Sequence, residues 1–367
     1  MATTFKTLIQ ANDVTSAKTL LHEAIPITGS IISGTYNEGG KATENNIKNY
    51  SHEMFQSVYD YPYLSSSANH LFDVAVGISP NSALSASAPA KYSQQDKKVN
   101  MYNQMAQVLM GFDHTASIIE FDVDGDVSAG GTKFREVFFL NLSRLLTKDE
   151  VKKESFKLQI ATGSKKETIR KIDFDGLKTL SDYNAASEYK VNSPAGEYGL
   201  LYTASTDKAN SRPAQGLIFY QAGVAVVTAS SGLFAGDFGN TAFSSAYSIG
   251  YDTKNVNTML SGAGITASCD GFRNRWYNLT LNNTVELNST IYFCRMNHNE
   301  FNYSSNPTYT SASQILVKEV PSDAPTSYVT TIGLYSPDNE LMATAKLSEP
   351  LKKDPSNELT LRVRLDY

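Results

Sequence analysis

The last third of the chain carries the pattern that most narrows its fold, because apolar side chains there recur at alternate positions. Leu341, Ala343, Ala345 and Leu347 alternate with Met342, Thr344 and Lys346. Leu359, Leu361, Val363 and Leu365 alternate with Thr360, Arg362, Arg364 and Asp366. A period of two sends successive side chains to opposite faces of a strand, so one face is apolar and the other is wet or meets a partner. Ile332 and Leu334 lead into Ser336-Pro-Asp-Asn-Glu, a five-residue connection of turn formers, and Pro350, Lys352, Lys353 and Pro355 mark a second turn. The pattern predicts a three-stranded antiparallel meander.

Upstream, the spacing changes only once to a helical one. Val99, Tyr102, Ala106, Leu109 and Met110 share a face, with Gln95, Lys98, Asn103 and Gln107 placed elsewhere, which predicts a helix from Gln94 to Met110 capped by Gly111. Around it lie extended segments: Ser117 to Phe121, Glu136 to Leu140, Ser155 to Ile160, Trp276 to Leu281 and Thr290 to Arg295. Leu217 to Val227 reads as a buried strand pair or one bent strand. Asn282-Asn-Thr-Val-Glu reads as a connection, and Asn141 to Lys153 as a link with a helical turn. The expected class is mainly β with one substantial helix (α+β), with antiparallel sheets and the C-terminal β-meander. Three segments are expected: residues 1–90 as an N-terminal arm or small irregular domain, 91–230 as helix plus β, and 231–367 as antiparallel β. The arm is broken at Asn37-Glu-Gly-Gly and Tyr61-Pro-Tyr, and the small-residue stretch Ser79 to Ala90 has too little bulk for a core layer.

Charge excludes some functions. The 37 acidic and 32 basic residues are spread along the chain for a net charge of -5, so no basic field for a phosphate backbone is evident and direct nucleic-acid binding is not expected. No window is apolar enough to cross a bilayer. The start, Met1-Ala-Thr-Thr-Phe-Lys, lacks a basic region followed by an apolar stretch, so synthesis in a cytoplasm without a secretory signal is expected. Cys269 and Cys294, read as sitting in neighbouring β-like segments, are expected to be free thiols. The 21 Tyr and 17 Phe supply large, low-entropy contact surfaces.

The residues that carry chemistry do not assemble into a known motif. Asp122-Val-Asp-Gly-Asp places three carboxylates at alternate positions, where they could gather ligands for a hard cation. Counted from Asp122, however, position six is Val127 where a calcium loop needs glycine, and position twelve is Lys133 where it needs a bidentate glutamate. An acidic turn following a strand is the simpler reading. His22, His52, His70, His114 and His298 are scattered, with no spacing that makes a zinc site. The glycines Gly29, Gly34, Gly39 and Gly40 do not form a nucleotide loop, Ser231 beside Gly232 is no nucleophile elbow, and Asp173 with Asp175 reads as a strand end. No catalytic residue, cofactor ligand or metal ligand is assigned, and the chain is not expected to be an enzyme.

Several strings, taken in order, carry a resemblance. They are Val99-Asn-Met-Tyr-Asn-Gln-Met-Ala-Gln-Val-Leu-Met-Gly, Phe121-Asp-Val-Asp-Gly-Asp, Phe139-Leu-Asn-Leu-Ser-Arg-Leu-Leu-Thr-Lys-Asp-Glu-Val, Gly216-Leu-Ile-Phe-Tyr-Gln-Ala-Gly-Val-Ala-Val-Val-Thr, Glu300-Phe-Asn-Tyr-Ser-Ser-Asn-Pro-Thr-Tyr and Tyr328-Val-Thr-Thr-Ile-Gly-Leu-Tyr. Together they resemble virion structural proteins of tailed bacteriophages, especially contractile-tailed ones of cyanobacteria and other marine bacteria. The resemblance covers roughly residues 95 to 367 and transfers no catalytic residue. It implies a tail or baseplate subunit of the virion, assembled in the host cytoplasm beside other tail proteins and a tail fibre in a symmetric array. A fibre-attachment or host-receptor-binding module, and a neck or capsid-associated protein, are the alternatives. Phe301, Tyr303 and Tyr309, set among Asn and Ser, are the expected contact segment.

Overall fold

The computed structural model describes residues 5–28, 45–85, 94–127, 130–160, 178–229, 233, 260–261, 264–273, 276–303, 310–311, 314–315, 322 and 324–367. The Asp173 and Asp175 pair, Ser231 with Gly232, Tyr309, the glycines from 29 to 40 and Ser79–Ala90 beyond Ser85 lie wholly outside them. The protein is mainly β with antiparallel sheets, as its alternating patterns predict. It divides into two compact units, Leu21–Val285, and Met1–Leu20 together with Glu286–Tyr367. The boundary falls inside two long strands, Val14–Thr28 and Trp276–Met296.

The larger unit is organised by a seven-stranded antiparallel sheet. Its order is Tyr198–Leu201, Gly216–Phe219, Val224–Thr228, Glu136–Leu142, His70–Ile78, Gln56–Tyr59 and Ile47–Asn49. Both faces of this sheet are covered, which explains why strands such as Val224–Thr228, Gly216–Phe219 and Glu136–Leu142 read as nearly continuous apolar runs. On one face Phe72, Val74, Val76, Phe138, Leu140 and Val227 share a core with Trp276, Leu279 and Phe272. On the other, Ala75, Val137, Phe139, Val226 and Phe219 pack with Tyr102, Ala106 and Leu109 of the long helix. Each of the buried valine, leucine and phenylalanine side chains contributes roughly 1.5–3 kcal/mol, so stability is concentrated here.

The sequence divisions near residues 90 and 230 do not coincide with these units. Strand His70–Ile78 pairs along its length with Glu136–Leu142, with Val74 opposite Leu140, so chain on both sides of residue 90 forms one sheet. Strands His70–Ile78 and Gln56–Tyr59, both before residue 90, are therefore inner strands of that sheet. Leu217 to Val227 is a strand pair turning at Tyr220–Gly223, with Leu217 opposite Val226.

The predicted helix runs from Gln94 to Leu109. It ends at Gly111, whose φ of 82° would strain any residue with a Cβ, and the Gly111 N–H reaches the Ala106 carbonyl at 3.1 Å. The helix lies close to the sheet at Gly77, where an added Cβ would stand 2.6 Å from the Phe139 ring and 3.1 Å from the Tyr102 backbone. Its buried side includes Gln95 and Lys98, two residues the sequence reading placed elsewhere, while Val99 is only half-buried. Lys98 donates to the Leu260 carbonyl at 2.6 Å, and burial pulls its ammonium down to about 8.

Two other expectations are corrected. Asn282-Asn-Thr-Val-Glu is not a connection: Trp276–Met296 is one strand, pairing first with Lys157–Ile160 and then with Glu150–Val151. Cys269 sits in the helix Ile265–Arg273, not in a strand, and both cysteines are free. Phe272 of that helix stacks on Phe138 at 4.2 Å and meets Trp276 edge-on at 4.9 Å.

In the smaller unit, Ser327–Tyr335 and Leu341–Lys353 form the expected hairpin around Ser336–Glu340. The return strand runs through Pro350, and the second turn closes at Asp354–Asn357, where the Asp354 carboxylate accepts from the Ser356 N–H at 2.9 Å. The third strand of the series, Leu359–Asp366, is antiparallel too and takes Ser289–Met296 as its partner, with Tyr292 opposite Val363. A buried lysine ties the base of the hairpin: Lys353 donates to Asn302 Oδ1 at 2.6 Å and to the carbonyls of Asp354 and His298 at 2.9 and 3.3 Å. Among the described residues, Met296 and Val363 are the unit's only buried apolar side chains.

Candidate functional site

The acidic turn is the one place where the described residues bring three carboxylates together. Phe121–Asp122 pairs with Lys133–Phe134, so Asp122 stands opposite Lys133 and the turn between them projects Asp124 and Asp126 back toward Asp122. One oxygen from each of the three lies within 4.8 Å of the others; Asp122 is buried and the other two are exposed. Main-chain N–H groups shape the turn, that of Val127 donating to Asp122 Oδ2 at 3.1 Å and that of Asp126 to Asp124 Oδ1 at 3.3 Å. Val127 takes a φ of 61°, a left-handed conformation that is strained for a β-branched residue. It is the position at which a calcium loop would use glycine.

Lys133 fills the electrostatic need of the site from within. Its ammonium contacts Asp122 Oδ2 at 2.6 Å, and the two side chains are only 7% and 1% exposed. Burial raises the Asp122 carboxyl above the ordinary carboxylate range, and the Lys133 hydrogen bond opposes that shift. The residue at position twelve thus supplies a cation where a calcium loop would supply two more anionic oxygens. Saturating calcium is expected to leave the melting temperature unchanged, because a ligand stabilises only by preferring the folded state. A rise of several degrees would assign the turn to a cation instead.

A second constellation, not legible from sequence, lies on the sheet where Ser57 faces Asp73 in register. Ser57 Oγ donates to Asp73 Oδ1 at 2.5 Å, His70 Nε2 meets the same oxygen at 2.8 Å, and the Tyr50 hydroxyl reaches Ser57 Oγ at 3.1 Å. The residue types are those of a hydrolase triad, but the order is not. A nucleophilic serine needs the imidazole between itself and the carboxylate, and here the carboxylate stands in the middle. The group locks two strands together.

A depression of about 350 Å³ opens beside the start of the helix Ile265–Arg273, lined in part by Glu53, Gln94, Thr266 and Asp270. Its polar groups are occupied with each other. Gln94 bonds to Glu53 and accepts from the Ile265 N–H at 3.2 Å, and Asp270 Oδ1 accepts from Gln56 at 2.6 Å and Arg273 at 3.0 Å.

The remaining candidates stay apart. Among the described residues no histidine or cysteine joins a group that could hold a metal. Of the expected contact segment, Phe301 and Tyr303 are exposed, and the Phe301 backbone takes a φ of 54°. No helix among the described residues is long and apolar enough to cross a membrane. Compared with protein families, with curated proteins and with solved structures, the chain finds no match.

Proposed function

We propose that this chain is a structural subunit of a tailed-phage virion, placed in the tail baseplate, whose work is mechanical rather than catalytic. The observation that carries the reading is the uneven distribution of apolar side chains. Among the described residues the larger unit holds both hydrophobic clusters, whereas more than half of the exposed large hydrophobic side chains belong to the smaller one, among them Phe5, Tyr303, Tyr328, Tyr335 and Met342. Monomeric surfaces seldom carry so much apolar area without a partner, and a unit poor in buried apolar residues gains its stability from neighbours. A subunit of a symmetric assembly has such neighbours in every copy.

The ordered strings that resemble virion proteins support the same reading, and so does the use of the polar clusters for internal pairing. The partners are adjacent tail proteins, with a tail fibre as a further neighbour. Mass spectrometry of purified particles is expected to find the chain at a fixed copy number that divides by the tail's symmetry. Its absence from particles would remove the reading.

A further inference from the structure

We propose that two copies of this chain join edge to edge through the strand Ser327–Tyr335, each copy using the same strand about a two-fold axis. The inference rests on the reading of the chain as an assembly subunit and names one of its partners as itself.

The two edges of the hairpin differ. Leu341–Lys353 carries Lys346, Glu349, Pro350 and Lys352, and four of its residues, 347–350, bulge between the paired positions Lys346 and Leu351. Charges, proline and bulges are the devices that keep an edge strand from pairing with another chain. Ser327–Tyr335 has none of these residues: its nine positions include no charge and no proline. Among the described residues its outer edge pairs with no strand. Tyr328, Thr330, Thr331 and Tyr335 are exposed along it, and Val329, Ile332 and Leu334 are only half-buried.

A second copy of the same strand fits this edge better than a charged partner would. Self-pairing centred on Thr331 brings Tyr328 opposite Leu334 and Thr330 opposite Ile332, aromatic-to-aliphatic and β-branched pairs of the kind that stabilise antiparallel ladders. A neutral strand meets its own copy without repulsion. A two-stranded hairpin is marginal alone, and joining two of them gives a four-stranded sheet in which Ile332 and Leu334, half-buried on one face with their partners Ala345 and Ala343, become continuous with those of the second copy. An interface of this type is isologous and closes as a dimer.

The test uses the full chain in analytical ultracentrifugation and in oxidative cross-linking. The wild type is expected to sediment as a dimer. Thr331→Glu, which gains Lys346 as its opposite number within the hairpin, places like charges at the two-fold and is expected to weaken the dimer at least tenfold while the far-ultraviolet circular dichroism stays that of the folded wild type. Thr331→Cys is expected to link copies covalently, and Thr344→Cys, on the guarded strand, to leave them unlinked. A wild type that stays monomeric, a dimer indifferent to Thr331→Glu, or a Thr331→Cys cross-link in particles to a different protein would each overturn the proposal. A chain present in particles but monomeric and unlinked would refute this pairing while leaving the structural role intact; a dimer formed by a chain absent from particles would do the reverse.

Discussion

Replacing Lys133 with methionine is expected to destabilise the protein by about 3–5 kcal/mol, the usual cost of removing one partner from a buried ion pair. The loss comes from what remains. Asp122 would keep its buried position, its hydrogen bond from the Val127 N–H and the neighbouring carboxylates of Asp124 and Asp126, without the ammonium at 2.6 Å. Its carboxyl, already raised by burial, would rise further, so the variant should recover stability on acidification as the folded state takes up a proton. Adding Asp122→Asn to Lys133→Met removes the charge itself and is expected to restore most of the loss, since a buried pair is worth little relative to neutral groups of similar shape. Urea unfolding of the wild type and the two variants measures both effects. A single variant within 1 kcal/mol of wild type would show that Lys133 does not neutralise this turn.

How much of this was legible beforehand depends on how local each feature is. The alternating C-terminal strands and the helix at Gln94–Leu109 follow from spacing alone, and so does the departure of the acidic turn from the calcium-loop pattern, because Val127 and Lys133 are read directly from positions six and twelve. Lys98 carried a signal that its charge concealed: it stands four residues before Tyr102 on the face that continues to Ala106 and Leu109. A lysine on a buried face is admitted where polar partners wait for it, here the Leu260 carbonyl and Gln95 Oε1 among them.

The features that escaped depend on distant chain. Asn282 and Asn283 have the composition of a turn, yet they lie inside a strand because partners elsewhere satisfy Asn283: its Oδ1 accepts from the Glu23 N–H at 3.1 Å and its Nδ2 donates to the Leu146 carbonyl at 3.0 Å. The Ser57, Asp73 and His70 group needs two strands in register. A sheet built from residues 47–78, 136–142 and 198–228 likewise leaves no mark of its pairing in composition.

Asp182 is the deepest of these long-range effects and gives the second large prediction. The residue is fully buried, with Oδ2 accepting from the Glu154 N–H at 2.7 Å and the Tyr220 hydroxyl at 2.9 Å. Burial pushes its carboxyl up to about 6, with those two bonds working in the opposite direction. In the unfolded chain an aspartate titrates near 4, so between pH 4 and pH 6 the folded state holds a proton the unfolded state has lost. Stability therefore falls as pH rises through that window, by about 3 kcal/mol from this group, and the whole penalty is in place at pH 7. Asp182→Asn is neutral at every pH; its amide oxygen can keep the bonds from the Glu154 N–H and the Tyr220 hydroxyl, and its amino group takes the place of Oδ1, which is buried without a hydrogen-bond partner. The variant is expected to match the wild type near pH 4, to exceed it at pH 7 by up to about 3 kcal/mol, and to lose the difference in slope between them. Denaturant unfolding from pH 4 to pH 8 reads the comparison directly. A variant less stable than the wild type at pH 7 with the slope retained would mean that Asp182 folds in its charged form, stabilised by more than the two bonds described.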